Sequence, residues 1–338
     1  MSVDDFAKKP SFDSIVNSAI GFGDQKVWPK VKSNDPSLLC RDLFSYALAL
    51  CEAKKMCRVP VLLERAQQMQ NLSEESATYG NFWWQWGDGY VKDDNAVEFC
   101  VRAGSVLWLR HRDLLGADAQ LLHEMLIPAV NACRHHASMP LYTNITLMNA
   151  MNLMLLGQGL EIQDLVELAQ HRLDRFCMYT WNWGIHEFCS STYTPIHVSC
   201  LDMIERFSDS NDMRDQARCV LKLLWSEIAE SWLDKSRYLG GTQSRMSGTF
   251  LQGDVNMDQM LWTAGVPELS GMMPVIPPTL NVIFHAYSDW LITQLDLLLR
   301  RKMEIYGWPQ AKGSVVLTEK PGPPMGCRLS WLLLANLG

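Results

Sequence analysis

At 338 residues, with 48% hydrophobic and 20% charged side chains, the chain can bury a large core in one or two domains. Thirty basic against 37 acidic residues leave a formal charge of −7, which argues against a nucleic-acid surface and gives no attraction to anionic membranes or acidic polymers. No apolar run reaches the ~18 residues of a membrane span, and the start, Met1 to Lys9, lacks the apolar stretch of a signal peptide, so a cytoplasmic protein is expected. The ten cysteines are scattered without a CxxC pair and fall in apolar helical patterns, which predicts reduced thiols packed as small hydrophobes.

Taken in order, residues 1–33 read as an irregular lead-in with Trp28-Pro29 as a fixed bend. Leu38, Leu39, Leu43, Tyr46, Ala47 and Leu50 recur at helical steps across 37–53, and a second helix follows over 59–70 with Pro60 in its first turn. An irregular loop, 77–93, carries Trp83, Trp84 and Trp86. Asp94 or Asn95 is expected to cap the next long helix, with Val97, Val101, Val106 and Leu107 on its stripe. Further helices are expected over 118–136, 143–156 (stopped by Gly157 and Gly159), 161–178, 195–207 and 211–233. A short one over 254–265 and a long one over 280–306 complete the set. A Gly-rich segment, 240–253, and a Pro-rich one, 267–278, separate these last elements. The tail, 307–338, fits no helical template.

About ten helices and almost no strand make an all-α protein. Short turns alternate with longer, aromatic-rich connections, as in an α-solenoid or a closed α/α toroid. No residue-level repeat is present, and the long connections are uneven in length and composition. The expectation is therefore an α/α toroid of about five to six helical hairpins over 34–306, flanked by the lead-in and the tail, with the long connections at one open face.

The richest connection is 179–195, which holds Tyr179, Trp181, Trp183, His186, Glu187 and Tyr193. A histidine titrates near neutrality, and with a carboxylate beside it can act as an acid or base. Adjacent residues do not face each other on a helix, so His186 and Glu187 need not form a pair. Expected catalytic groups are His186, Glu187, Tyr193 and Arg245. Expected substrate-binding groups are Trp83, Trp84, Trp86, Tyr142, Asn144, Tyr179, Trp181, Trp183, Gln243 and Trp262, the tryptophans offering π-faces to a ring or polyene. Each has a plainer alternative: a tryptophan can plug the core, and a histidine in an apolar segment is often a satisfied core residue.

No metal site is expected: His135 and His136 are adjacent, and HxxxH and HExxH are absent. Asp93-Asp94-Asn95 superficially matches an aspartate-rich Mg²⁺-diphosphate motif, but a helix N-terminus accounts for it equally. GxGxxG, P-loop and GxSxG patterns are also absent, so no cofactor is expected.

Residues 95–99, 107–113, 142–149, 155–157 and 187–194 together resemble a group of largely uncharacterised bacterial and fungal α/α-toroid proteins, over roughly 76–305. In that group the motif matching 187–193 reads Glu-Tyr/Phe-Asn/Cys-Ser-Pro-Thr-Tyr; here Ser191 stands at the proline. The resemblance implies a fold more than an activity, since the toroid serves polysaccharide lyases, glycosidases and terpenoid cyclases. Some members accompany fungal natural-product clusters.

The leading expectation is a cofactor-free enzyme of secondary metabolism. It would cyclise a small apolar natural product, terpenoid or polyketide-like, as a cyclase or Diels–Alderase, by holding a reactive fold and polarising it with hydrogen bonds. A polysaccharide lyase or glycoside-active enzyme is the alternative, and a non-catalytic helical scaffold the third reading. Expected partners are that substrate, no nucleic acid, no membrane span, and a homodimer as an open option.

Overall fold

The computed structural model describes residues 10–136, 138–233, 238–240, 244, 255–264 and 279–288. The helices are α1 (Phe12–Phe22), α2 (Trp28–Ser33), α3 (Cys40–Glu52), α4 (Val59–Gln67), α5 (Ala96–Leu115) and α6 (Asp118–His135). They continue as α7 (Thr143–Gly159), α8 (Gln163–Trp183), α9 (Thr194–Phe207), α10 (Asn211–Ser231), α11 (Val255–Thr263) and α12 (Val282–His285). Two two-residue strands, β1 (Trp232–Leu233) and β2 (Tyr238–Leu239), pair antiparallel after α10. The described residues are all-α apart from that short ladder.

Residues 12–33 are helical, where an irregular lead-in was expected. Ile15, Val16, Ala19 and Ile20 lie on one stripe and are buried. Ser11 caps the start by accepting from the Ser14 N–H at 3.2 Å. A π-type turn over Gly23–Val27 joins α1 to α2. Pro29 then stands in the first turn of α2, where its missing N–H is no loss, so it opens a helix and does not bend a loop.

The helices fall into two kinds. In α8 the buried residues are Leu165, Ala169, Leu173, Phe176 and Thr180, a single stripe at three- and four-residue steps. In α7 every residue except Gln158 is buried, and α9 is buried almost throughout from Thr194 to Ile204. A helix wrapped on all sides by protein is an interior helix. The packing agrees: α3, α5, α7 and α9 each pack against the next, and each also packs against its own chain successor, α4, α6, α8 or α10. The connections within these pairs (53–58, 116–117, 160–162 and 208–210) are short, so the partners run antiparallel and the four interior helices share a direction. The long connections 68–95, 136–142 and 184–193 therefore lead to the N-terminal ends of α5, α7 and α9. α1 packs on α3 and on α12, and α11 and α12 pack on α9.

Three local details differ from the sequence expectation. α7 runs through Gly157 to Gly159, and its glycines mark close approach and not a stop. A Cβ on Gly157 would meet Val166 Cγ2 at 2.7 Å and its backbone N at 2.9 Å. Trp108 lies against Gly159 and donates to its carbonyl at 2.7 Å. At the start of α5 neither Asp94 nor Asn95 caps through its side chain; the Asp93 carboxylate accepts from the Asn95 N–H at 2.8 Å and from the Trp84 indole N–H at 2.9 Å. α8 continues through Trp183, so Tyr179, Trp181 and Trp183 belong to its last turns and not to a loop. The expected helix at 254–265 is present as α11. Of the expected long helix over 280–306 only α12, Val282–His285, is helical among the described residues, with a turn following it, and the part beyond 288 lies outside them.

Two clusters pin the ends of the assembly. Glu52, at the end of α3, lies 3.0 Å from Arg110 Nε and 2.9 Å from His111 Nε2 on α5, and accepts from Tyr287 Oη at 2.9 Å. Burial alone would raise its pKa, but hydrogen bonds from His111 and Arg110, together with their charges, hold the carboxyl down to about 2. In the other cluster, Gln70 donates to the Met125 carbonyl at 2.8 Å, one turn before Pro128 inside α6, and to the Gly80 carbonyl at 2.9 Å. Among the described residues all nine cysteines are free thiols, and no helix is long and apolar enough to cross a membrane.

Candidate functional site

The connection from α8 to α9 is a chain of tight turns that sorts its side chains sharply. Gly184, at φ 79°, ends α8; Ile185 then turns inward, His186 outward and Glu187 inward. Cys189 adopts a left-handed conformation at φ 48°, and Glu227 of α10 holds it there by accepting from its N–H at 2.8 Å and its thiol at 3.0 Å. Ser190 Oγ accepts from the Tyr193 N–H at 3.2 Å, which launches α9. Leu239 donates its N–H to Ser191 Oγ at 3.3 Å, and Ser244 donates to the Phe188 carbonyl at 3.2 Å, so the segment after α10 lies over this turn.

Glu187 is the group this geometry delivers to the interior. It is buried and accepts from the backbone N–H of Asn144, in the first turn of α7, at 2.8 Å. A carboxylate at that helix end is favoured by the helix dipole. It also lies 3.2 Å from Nε2 of His197 on α9, a fully buried histidine. The partner of Glu187 is therefore His197. The expected neighbour His186 is exposed and points away from it. His197 retains an Nδ1 with no partner among the described residues.

Further polar groups gather on the same interior helices. Arg102 of α5, also buried, donates to Ser199 Oγ of α9, and its guanidinium lies 3.7 Å from the ring centre of Phe284 on α12. The next residue, His285, is buried, with its Nδ1 unpartnered. Burial, and then the charge of Arg102, push its pKa down to about 3, so it is neutral at physiological pH. Glu98, one turn before Arg102, is held by Asn149 at 2.6 Å, Asn152 at 2.7 Å and His136 at 3.0 Å. Arg172 of α8 closes that network by donating to Asn149 Oδ1 and to the His136 carbonyl at 3.0 Å. The Glu98 carboxylate is satisfied, though Asn152 Oδ1 beside it meets no partner among the described residues; the Arg102, His197 and His285 groups are likewise only partly satisfied.

The other expected site residues divide clearly. Asn144 is buried at the start of α7, its Oδ1 unpartnered, and Tyr142 and Tyr193 stand half-buried just before α7 and α9. Tyr179 is half-buried on α8. Trp181 and Trp183 are 62% and 77% exposed, so they line no interior, because the extension of α8 carries them outward. Trp83 and Trp86 pack together at 6.4 Å, with Arg65 over the Trp86 ring, and Trp84 packs on Phe99 at 5.3 Å. The Trp84 carbonyl accepts from the Cys40 N–H at 3.1 Å, so this loop seals the start of α3. Trp262 is half-buried against the core on α11. Gln243 and Arg245 lie outside the described residues.

Arg102, His197, Ser199 and His285 carry no motif in the sequence and were not among the expected site residues. Their signal is a polar or charged residue inside an otherwise apolar run, such as Arg102 between Val101 and Ala103, and it becomes legible once the first turns of α5, up to Leu107, are known to be buried on nearly every side.

No curated protein and no solved structure matches the chain. A family model described as a domain of unknown function (DUF8769) matches residues 69–297, which takes in α5, α7 and α9. That match spans well over half of the 338 residues, and the chain belongs to the DUF8769 family.

Proposed function

We propose that the protein is a cofactor-independent enzyme that binds a small, mainly apolar substrate, terpenoid or polyketide-like, among its interior helices and cyclises it. Five of the buried side-chain atoms that meet no partner among the described residues carry this reading: Arg102 Nε, Thr143 Oγ1, Asn144 Oδ1, His197 Nδ1 and His285 Nδ1; others, such as Gln70 Oε1, Thr180 Oγ1 and Trp225 Nε1, lie elsewhere in the fold. Buried polar groups are ordinarily hydrogen-bonded, and a scaffold gains nothing by leaving several unmet in its core. A site that must orient and polarise a substrate needs such groups. The surrounding core is apolar and rich in methionine, as suits a substrate with few polar atoms.

The architecture proposed around this site is an α/α toroid. Its support is the circuit of packing from α1 to α3, α5, α7, α9, α12 and back to α1, with α4, α6, α8 and α10 as outer partners. The long connections approach the N-terminal ends of α5, α7 and α9, so the helix dipoles add positive potential on that side. Within the site, His197 is assigned the acid/base or hydrogen-bonding role. Glu187 fixes the ring through Nε2, and Nδ1 is left to meet the substrate. The sugar-active alternative is weaker, because Glu187 is occupied as the cap of α7 and is too buried for a polymer to reach.

The test is to incubate the purified chain with linear polyene and diene intermediates, with and without EDTA, and to follow cyclised product. Metal-independent turnover that falls in a His197→Gln variant supports the reading. A strict Mg²⁺ requirement, or equal turnover by the variant, contradicts it.

A further inference from the structure

Among the described residues, Arg102 is a buried cation without an anion. It is 4% exposed, and no carboxylate among the described residues lies within ion-pair distance of it. Its protein partners are the Ser199 hydroxyl and the face of Phe284, and its Nε has none. The nearest carboxylate along α5, Glu98, is occupied by Asn149, Asn152 and His136. Around the guanidinium, Arg41 adds a like charge, Cys200 is a thiol raised by burial to a pKa of about 11, and His285 is neutral. A guanidinium so enclosed is strongly disfavoured unless something of opposite charge comes to it, and removing water makes any such pairing strong.

We infer that Arg102 anchors a carboxylate borne by the substrate, with Ser199 holding the guanidinium and Phe284 flanking it. The inference rests on the reading of the interior as the substrate site, and it narrows the substrate class to apolar molecules ending in a carboxylic acid. The charge balance favours a monoanion: one guanidinium faces the ligand and both neighbouring histidine and cysteine groups are neutral. A phosphate or diphosphate would bring two or more negative charges against Arg102 alone, since the other nearby cation, Arg41, lies 3.9 Å from the Asp42 carboxylate. The Nε–H and a terminal N–H of a guanidinium make the fork that a planar carboxylate fits bidentately.

The test uses the full chain and isothermal titration at fixed ionic strength with 2,4-decadienoate, its methyl ester and inorganic phosphate. The wild-type chain is expected to bind the acid at least tenfold more tightly than the ester and to show no saturable phosphate binding. Arg102→Met should abolish the preference for the acid while keeping ester affinity within about threefold. Arg102→Lys should keep the charge but lose most of the preference, because an ammonium lacks the fork. Should Arg102→Met fail to fold, Ser199→Ala and Arg102→Lys give the same comparison. Equal affinity for acid and ester in the wild type and in the variants overturns the carboxylate anchor while leaving the apolar site standing. Tighter binding of phosphate than of decadienoate overturns the assignment to a monoanion. Failure of both acid and ester to bind the wild type overturns the inference and the proposed site together.

Discussion

At the scale of single residues, charge and burial make the sharpest predictions. His285 stays neutral in the folded protein, with a pKa near 3 against an ordinary value of 6.5, whereas the unfolded chain takes up a proton near pH 6.5. Its contribution to stability is therefore complete above pH 6.5 and is lost as pH falls towards 3, the loss reaching roughly 2 kcal/mol by pH 5. Denaturant melts from pH 7 to 4 should show a shallower acid slope for His285→Asn than for the wild type. Glu52 has the same direction by another cause. Its carboxyl is held near 2 against 4.5, so its stabilisation is present above about pH 4.5 and disappears as pH falls through 2. Glu52→Gln should cost roughly 3 kcal/mol at pH 7, with the difference from wild type closing below pH 4. Thiols give a third check. Cys57 and Cys219 are exposed, whereas burial, reinforced by Glu227, lifts Cys189 to about 12. Alkylation at pH 8 should label Cys57 and Cys219 quickly and leave Cys40, Cys100, Cys133, Cys189 and Cys200 for the denatured chain.

At the scale of elements, the helices of the chain were readable wherever one stripe of apolar residues faces one neighbour, as in α8 and α10. They were misread where a tertiary contact overrode local punctuation. Gly157 and Gly159 looked like stops, yet glycine was needed there because α8 and Trp108 come too close for a side chain. The site was legible in part. Glu187, Asn144, Tyr142 and Tyr193 do gather where α7 and α9 begin. His197 was missed because its partner lies ten residues away, across a turn whose path depends on Gly184 and on the left-handed Cys189. Trp181 and Trp183 misled because aromatic richness in sequence says nothing of which way a last helical turn faces. The close packing of the 77–93 loop is testable in the same terms. Gly80 has φ 84°, and a Cβ there would meet the Pro128 carbonyl oxygen at 1.9 Å, so Gly80→Ala should cost roughly 3 kcal/mol or more in thermal or denaturant unfolding.

At the scale of the molecule, four interior helices run in one direction, and three of them, α5, α7 and α9, carry buried polar groups that no described neighbour satisfies. The outer helices supply stability through single apolar stripes, and the Glu52 cluster ties α3 to α5 and to Tyr287, just after α12, at the end away from the long connections. On this account the protein separates a fixed frame from a reactive interior, and single changes inside should alter binding before they alter the fold. His197→Gln should lower turnover by about a hundredfold or more, whereas the exposed His186→Ala should change it by less than about threefold. The most direct measurement is a crystal structure of the full chain grown with 2,4-decadienoate. The account predicts density for the bound acid among α5, α7, α9 and α12, with its carboxylate on Arg102. Density confined to the outer surface beside Trp181 and Trp183, or an interior closed by protein side chains at saturating ligand, would contradict it.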